Sequence, residues 1–181
     1  MQTYRPENHL ALPVSQRGAS LLEGIAYLGI AALVILGAAS LFTGAFASAQ
    51  SNRGMEEVNA IRTGVKKLYM GQANSYGTAD ITAALNTAAV FPTTLSFNST
   101  AMVNTWGGTV TVTGASNTFT IEYTAVPQSS CINMLSGASG WVSIAGNGGT
   151  AVSNNPLTPA DAATICSVAT SAGNTIDFSS L

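Results

Sequence analysis

Few residues in this chain could carry chemistry, and their placement excludes most of it. The single histidine, His9, stands close to the start, so the commonest acid–base and metal-binding side chain is missing from everything after it. Serines and threonines abound, but they have no base to activate them, and no glycine-rich phosphate loop or paired-carboxylate constellation is present. Cys131 and Cys166 are the only cysteines, and two thiolates without a histidine leave no tetrahedral metal set. No catalytic residue, metal or cofactor is therefore expected. One carboxylate stands out: Glu23, at the head of an uncharged run from Gly24 to Asn52, where a charge inside an apolar helix is expensive unless it has a task.

The composition around these residues fits a subunit better than an enzyme. The 181 residues suffice for one domain and a short extra segment. Apolar residues make up 46% and charged residues 8%, against about 25% charged in a typical soluble domain, which points to an envelope protein or an assembly subunit. Six basic and eight acidic side chains give a net charge of −2, so no basic field attracts nucleic acid. Residues 68–181 contain no Lys or Arg and carry only Asp80, Glu122, Asp161 and Asp177 as charges. A surface of Ser, Thr, Asn and Gly repels its copies weakly, as dense self-packing requires. An extracellular domain of biased composition would look the same.

The element that must position Glu23 is the apolar run itself. Its about 29 uncharged residues reach roughly 40 Å as a helix, more than the ~30 Å of bilayer hydrocarbon. Small residues recur four apart at Ser40, Gly44 and Ser48, and at Ala39, Thr43 and Ala47, which permits close helix packing. Three readings compete. A secretory signal peptide would use Ala47-Ser48-Ala49 for cleavage and leave a soluble binding domain starting at Gln50, but the apolar stretch is about twice the usual core and begins at Glu23. A plain membrane anchor is the second, and its orientation is undecided because Arg5 and Arg17 precede the span while Arg53 and Arg62 follow it.

The third reading explains Glu23. The run Arg17-Gly18-Ala19-Ser20-Leu21-Leu22-Glu23 resembles the type IV pilins, in which a prepilin peptidase cuts after the glycine on the cytoplasmic side. The resemblance implies that residues 1–18 are a leader, that Ala19 is the mature N-terminus and N-methylated, and that Glu23 is the family's fifth-position glutamate. An 18-residue leader and a first residue other than phenylalanine resemble the type IVb branch. Physically, a carboxylate in the first turn is favoured by the helix dipole; the resemblance implies that the freed α-amino group of a neighbouring subunit is its positive partner, which would set register. Gly29 and Gly37 weaken the helix locally, by up to about 1 kcal/mol each relative to alanine.

Beyond the run, Met55, Val58, Ile61, Val65 and Leu68 recur at spacings of three and four, with Glu56, Glu57, Arg62, Lys66 and Lys67 on other faces. The helix therefore continues to about Met70 as an amphipathic spine, with Gly71 as its C-cap. A short helix is expected from Asp80 to Ala89, closed by Phe91-Pro92. Thr109–Thr113 and Phe119–Tyr123 form a hairpin around 114–118, Trp141–Ile144 and Thr175–Phe178 read as strands, and Pro159–Cys166 as a helix. Trp106, Phe119, Tyr123, Trp141 and Phe178 are expected in the core. Asn98-Ser99-Thr100 is a glycosylation sequon best read as a polar turn.

This layout too resembles type IVb pilins, through Asn104-Thr105-Trp106-Gly107-Gly108, Val126-Pro127 before a cysteine-bearing helix, and Pro159-Ala160-Asp161-Ala162-Ala163 before the last cysteine. Plasmid-type thin-pilus pilins and enteric colonisation pilins look most similar. The expected fold is α+β, a long N-terminal helix on an antiparallel sheet, with a hydrophobic segment over 19–52 and a head over 53–181. On the exported side of the membrane Cys131 and Cys166 are expected to pair, stabilising the head by ~4 kcal/mol on the chain-entropy model. In the family the matching pair brackets a variable exposed region, which makes 131–166 the candidate for partner contacts. The implied function is a pilus subunit that polymerises with its own copies after passing through the inner membrane, the prepilin peptidase and the assembly machinery, for adhesion, aggregation or mating. A minor pilin or a secretion pseudopilin would share this processing and fold.

Overall fold

A computed structural model describes residues 20–72, 75–99 and 101–181. Gly18 and Ala19 lie outside the described residues. Ten elements follow in chain order: α1 (Leu21–Tyr69), α2 (Thr82–Thr87), β1 (Ser96–Phe97), β2 (Met102–Val103), β3 (Thr109–Ala115), β4 (Thr118–Val126), α3 (Gln128–Gly137), β5 (Ser143–Gly146), α4 (Pro159–Ile165) and β6 (Asn174–Ser180). The strands make one antiparallel sheet in the order β1-β2-β3-β4-β6-β5, an α+β head. The chain divides into two compact units, Met1–Phe42 and Thr43–Leu181.

In the second unit the period-two segments become strands because one face of each finds a core. Val110 and Val112 of β3, Phe119, Ile121 and Tyr123 of β4, and Ile176 and Phe178 of β6 are fully buried at alternate positions. Val58, Ile61 and Val65 of α1 join the same cluster, with Leu85, Met134, Leu135, Ile144 and Ala162. The opposite face is a mat of paired hydroxyls: Thr109 with Thr124 at 3.0 Å and Thr120 with Ser179 at 3.1 Å. These cross-strand pairs stand on the outer face beside the carboxylates of Glu122 and Asp177.

The hairpin is tighter than its sequence suggested. The strands run to Ala115 and Thr118, leaving only Ser116-Asn117 as the turn, with Ser116 at φ 58°. A positive φ at the first loop residue matches the right-handed twist of the strands. The helix expected from Asp80 is shorter, Thr82–Thr87, because Asp80 bridges to Thr113 of β3 while its Oδ1 accepts from the Thr82 N–H at 2.8 Å. Gly173, at φ 69°, lies where an added Cβ would stand 2.4 Å from the Ala125 carbonyl carbon. Glycine there lets the chain pass the bulge in β4 between Tyr123 and Val126.

Two residues of the α1 spine differ from the helical pattern. Leu68 is 45% exposed, since the stripe passes from Val65 to Tyr69, which packs against the core one turn on and leaves Leu68 beside it. Glu57, placed by its charge on the polar side, is only 3% exposed, because Thr94 and Arg53 supply polar partners at its burial site.

Candidate functional site

The first unit, described from Ser20 to Phe42, is a helix whose large apolar side chains are exposed. Exposure runs from 61% at Ile30 to 85% at Leu21. The helix α1 is long and apolar enough to cross a membrane. Gly24, Gly29 and Gly37 have nothing within 4 Å of an added Cβ, so among the described residues no packing requires them to be glycine.

Glu23 stands in the first turn of this helix. Its N–H donates to Ser20 Oγ at 3.2 Å, a side-chain cap that occupies an otherwise orphaned donor. Gly24 N–H donates to the Ser20 carbonyl at 3.1 Å. One turn on, the Tyr27 hydroxyl donates to Glu23 Oε1 at 3.2 Å. Among the described residues no cation pairs with Glu23; the one ion pair is Arg53 Nε with Glu57 Oε1 at 3.4 Å. The sequence flagged Glu23 and not Tyr27, although the i,i+4 spacing that joins them was legible.

In the second unit the two cysteines are joined. Cys131 of α3 and Cys166, just past α4, form a disulfide with Cα atoms 5.9 Å apart, both fully buried. Gln128 Nε2 donates to the Cys166 carbonyl at 2.9 Å, holding the same two helices at the bond. Within α4, Thr158 caps the start: its Oγ accepts from the Asp161 N–H at 3.3 Å and its hydroxyl donates to Asp161 Oδ2 at 2.7 Å. Buried Asn174 closes the base of the region, its Oδ1 accepting from Val168 N and Asn147 Nδ2, and its Nδ2 donating to the Val126 and Val168 carbonyls. The loop so held bears a cleft of about 350 Å³ lined by Val152, Asn154, Leu157, Asp161, Thr164 and Ile165.

Two polar clusters fasten α1 to the head. Arg62 lies 4.6 Å over the Trp141 ring, donates from Nε to Ser180 Oγ at 3.0 Å, and reaches the Gly140 carbonyl. One guanidinium thus ties the helix, the segment before β5 and the end of β6. Glu57 Oε1 accepts from the Thr94 hydroxyl at 2.6 Å. Facing it, Tyr123 has its pKa pushed well up, by burial first and by the Glu57 charge second, yet neither its hydroxyl nor Glu57 Oε2 meets hydrogen-bond geometry. On the outer sheet face Glu122 of β4 and Asp177 of β6 are direct cross-strand partners. Burial, and then the Glu122 charge, raises the Asp177 pKa.

An uncovered apolar helix, an antiparallel sheet head and a disulfide-closed C-terminal region define a pilin-like subunit. Residues 48–181 match the family model described as PilS N terminal, and the chain belongs to that family, among type IV pilins of the type IVb branch. Two curated relatives are the major structural subunit of bundle-forming pilus from Escherichia coli O127:H6 (strain E2348/69 / EPEC), 27% identical, and from Escherichia coli O111:H-, 28% identical. Each alignment spans 170 residues, 83% of this chain and 88% of the relative.

Proposed function

We propose that the chain is the major structural subunit of a type IVb pilus. Residues 1–18 serve as the leader, a prepilin peptidase cuts between Gly18 and Ala19, and Ala19 is N-methylated. The helix over 19–52 first holds the subunit in the inner membrane and then packs with its copies in the filament core. The head over 53–181 coats the outside, with residues 131–166 offered to other surfaces in adhesion, aggregation or mating.

The observation that carries this reading is the row of large apolar side chains over 21–42, exposed in the subunit. Each such side chain gains roughly 1.5–3 kcal/mol when removed from water, so the helix needs lipid or other helices around it. The relatives' description as major structural subunits of a pilus agrees. No enzymatic role is proposed. The test is to shear cells that make the chain and examine the released material by electron microscopy and gel. Filaments in which this chain is the dominant protein are expected. A chain present only as a trace in filaments built of another subunit would favour a minor pilin or a secretion pseudopilin, and a soluble chain would favour the secreted domain.

A further inference from the structure

In hydrocarbon each carboxylate oxygen lacks water, and an oxygen left without a donor costs several kcal/mol. Helical side chains tilt toward the N-terminus, so the residue four positions on reaches back over the one before it. Tyr27 does this: its hydroxyl donates to Glu23 Oε1, while no described residue donates to Oε2. Tyrosine suits the place, since its ring is at home among apolar neighbours and its hydroxyl is a donor that carries no charge to bury. A phenylalanine or leucine there would satisfy the helix equally and leave the carboxylate bare.

We infer that Tyr27 is the positioning residue for Glu23: it replaces water at Oε1 in the membrane-held subunit and leaves Oε2 as the acceptor for the amine of a second copy. The inference rests on the proposed register role of Glu23 and adds to it a second side chain. The hydroxyl restricts the carboxylate's rotamers before the neighbour arrives, so that less conformational freedom is lost on docking.

The experiment co-expresses tagged full-length variants with the untagged chain and reads, for each, the fraction of membrane-held subunit that enters sheared filaments. Glu23→Ala is expected to lower that fraction by about tenfold or more, as loss of a desolvated ion pair should. Tyr27→Phe, which keeps the ring, is expected to lower it by about threefold to tenfold, the range for one interhelical-strength hydrogen bond in a membrane, with the membrane level unchanged. In the Glu23→Ala background, Tyr27→Phe is expected to change nothing further, because the hydroxyl then has no carboxylate to hold. Wild-type incorporation of Tyr27→Phe, or the same penalty in both backgrounds, would overturn the inference and leave the ring as packing alone. Wild-type incorporation of Glu23→Ala would overturn the register role beneath it, a separate failure with a separate signature.

Discussion

Asp177 shows at the scale of one residue what the sequence could not reveal. It lies opposite Glu122 across β4 and β6, strands separated by α3, β5 and α4, so only the register brings the like charges together. Its pKa is raised, meaning that the folded chain holds this proton more tightly than the unfolded one. Stability contributed here is therefore present at low pH and lost as pH rises from the ordinary 3.8 through the raised folded value. Asp177→Asn is expected to stabilise the full chain in detergent at pH 7 by about 0.2–1 kcal/mol, a cross-strand magnitude that solvent screening keeps small, and to lose that advantage toward pH 3. Thermal melts of both chains across that range check the sign. Glu57 is the matching case on α1. Its charge marked it for solvent, and Arg53 four residues earlier is a partner the helix spacing offers, but Thr94, 37 residues on, is one that no local pattern announces.

At the scale of elements, legibility followed length and period. The α1 spine shows itself through Val58, Ile61 and Val65, and the β3–β4 hairpin through alternating valines and threonines, because each repeats a pattern several times over. β1 and β2 are two residues each, too short to show any period; β2 exists because β3 offers an edge to pair with, and β1 because β2 then offers another. The end of α1 at Tyr69 matches the pattern to within a residue, and only Leu68 departs from it, since tertiary cover and not propensity decides which apolar positions are buried. The α3–α4 pair depends on its covalent link. Cys166→Ser removes a loop closure worth up to ~4 kcal/mol on the chain-entropy model, so a lower yield of folded subunit and an earlier denaturant midpoint are expected. An unchanged midpoint in urea would show that Gln128 and Asn174 hold the region without the bond.

For the whole molecule, the proposed function asks the same helix to satisfy two surroundings in turn. Side chains from Leu21 to Phe42 are uncovered in the subunit, and an inner membrane and a filament core are both apolar enough to receive them. The head answers a different demand. With no Lys or Arg after Lys67, and with hydroxyl pairs beside Glu122 and Asp177 on the outer sheet face, the head carries little charge with which to repel a copy of itself. The fold class, the disulfide partners and the family were all within reach of the sequence because the motifs that carry them are contiguous or unique. The proposed processing between Gly18 and Ala19 would be performed by another protein, and its outcome would be read in the mature chain's mass.

The central claim is tested most directly by the intact mass and N-terminal sequence of the chain recovered from sheared cell-surface material. The account predicts a chain that begins at Ala19 and is heavier by one methyl group. A chain beginning at Gln50 would contradict it, because the helix proposed as the filament core would then have been discarded.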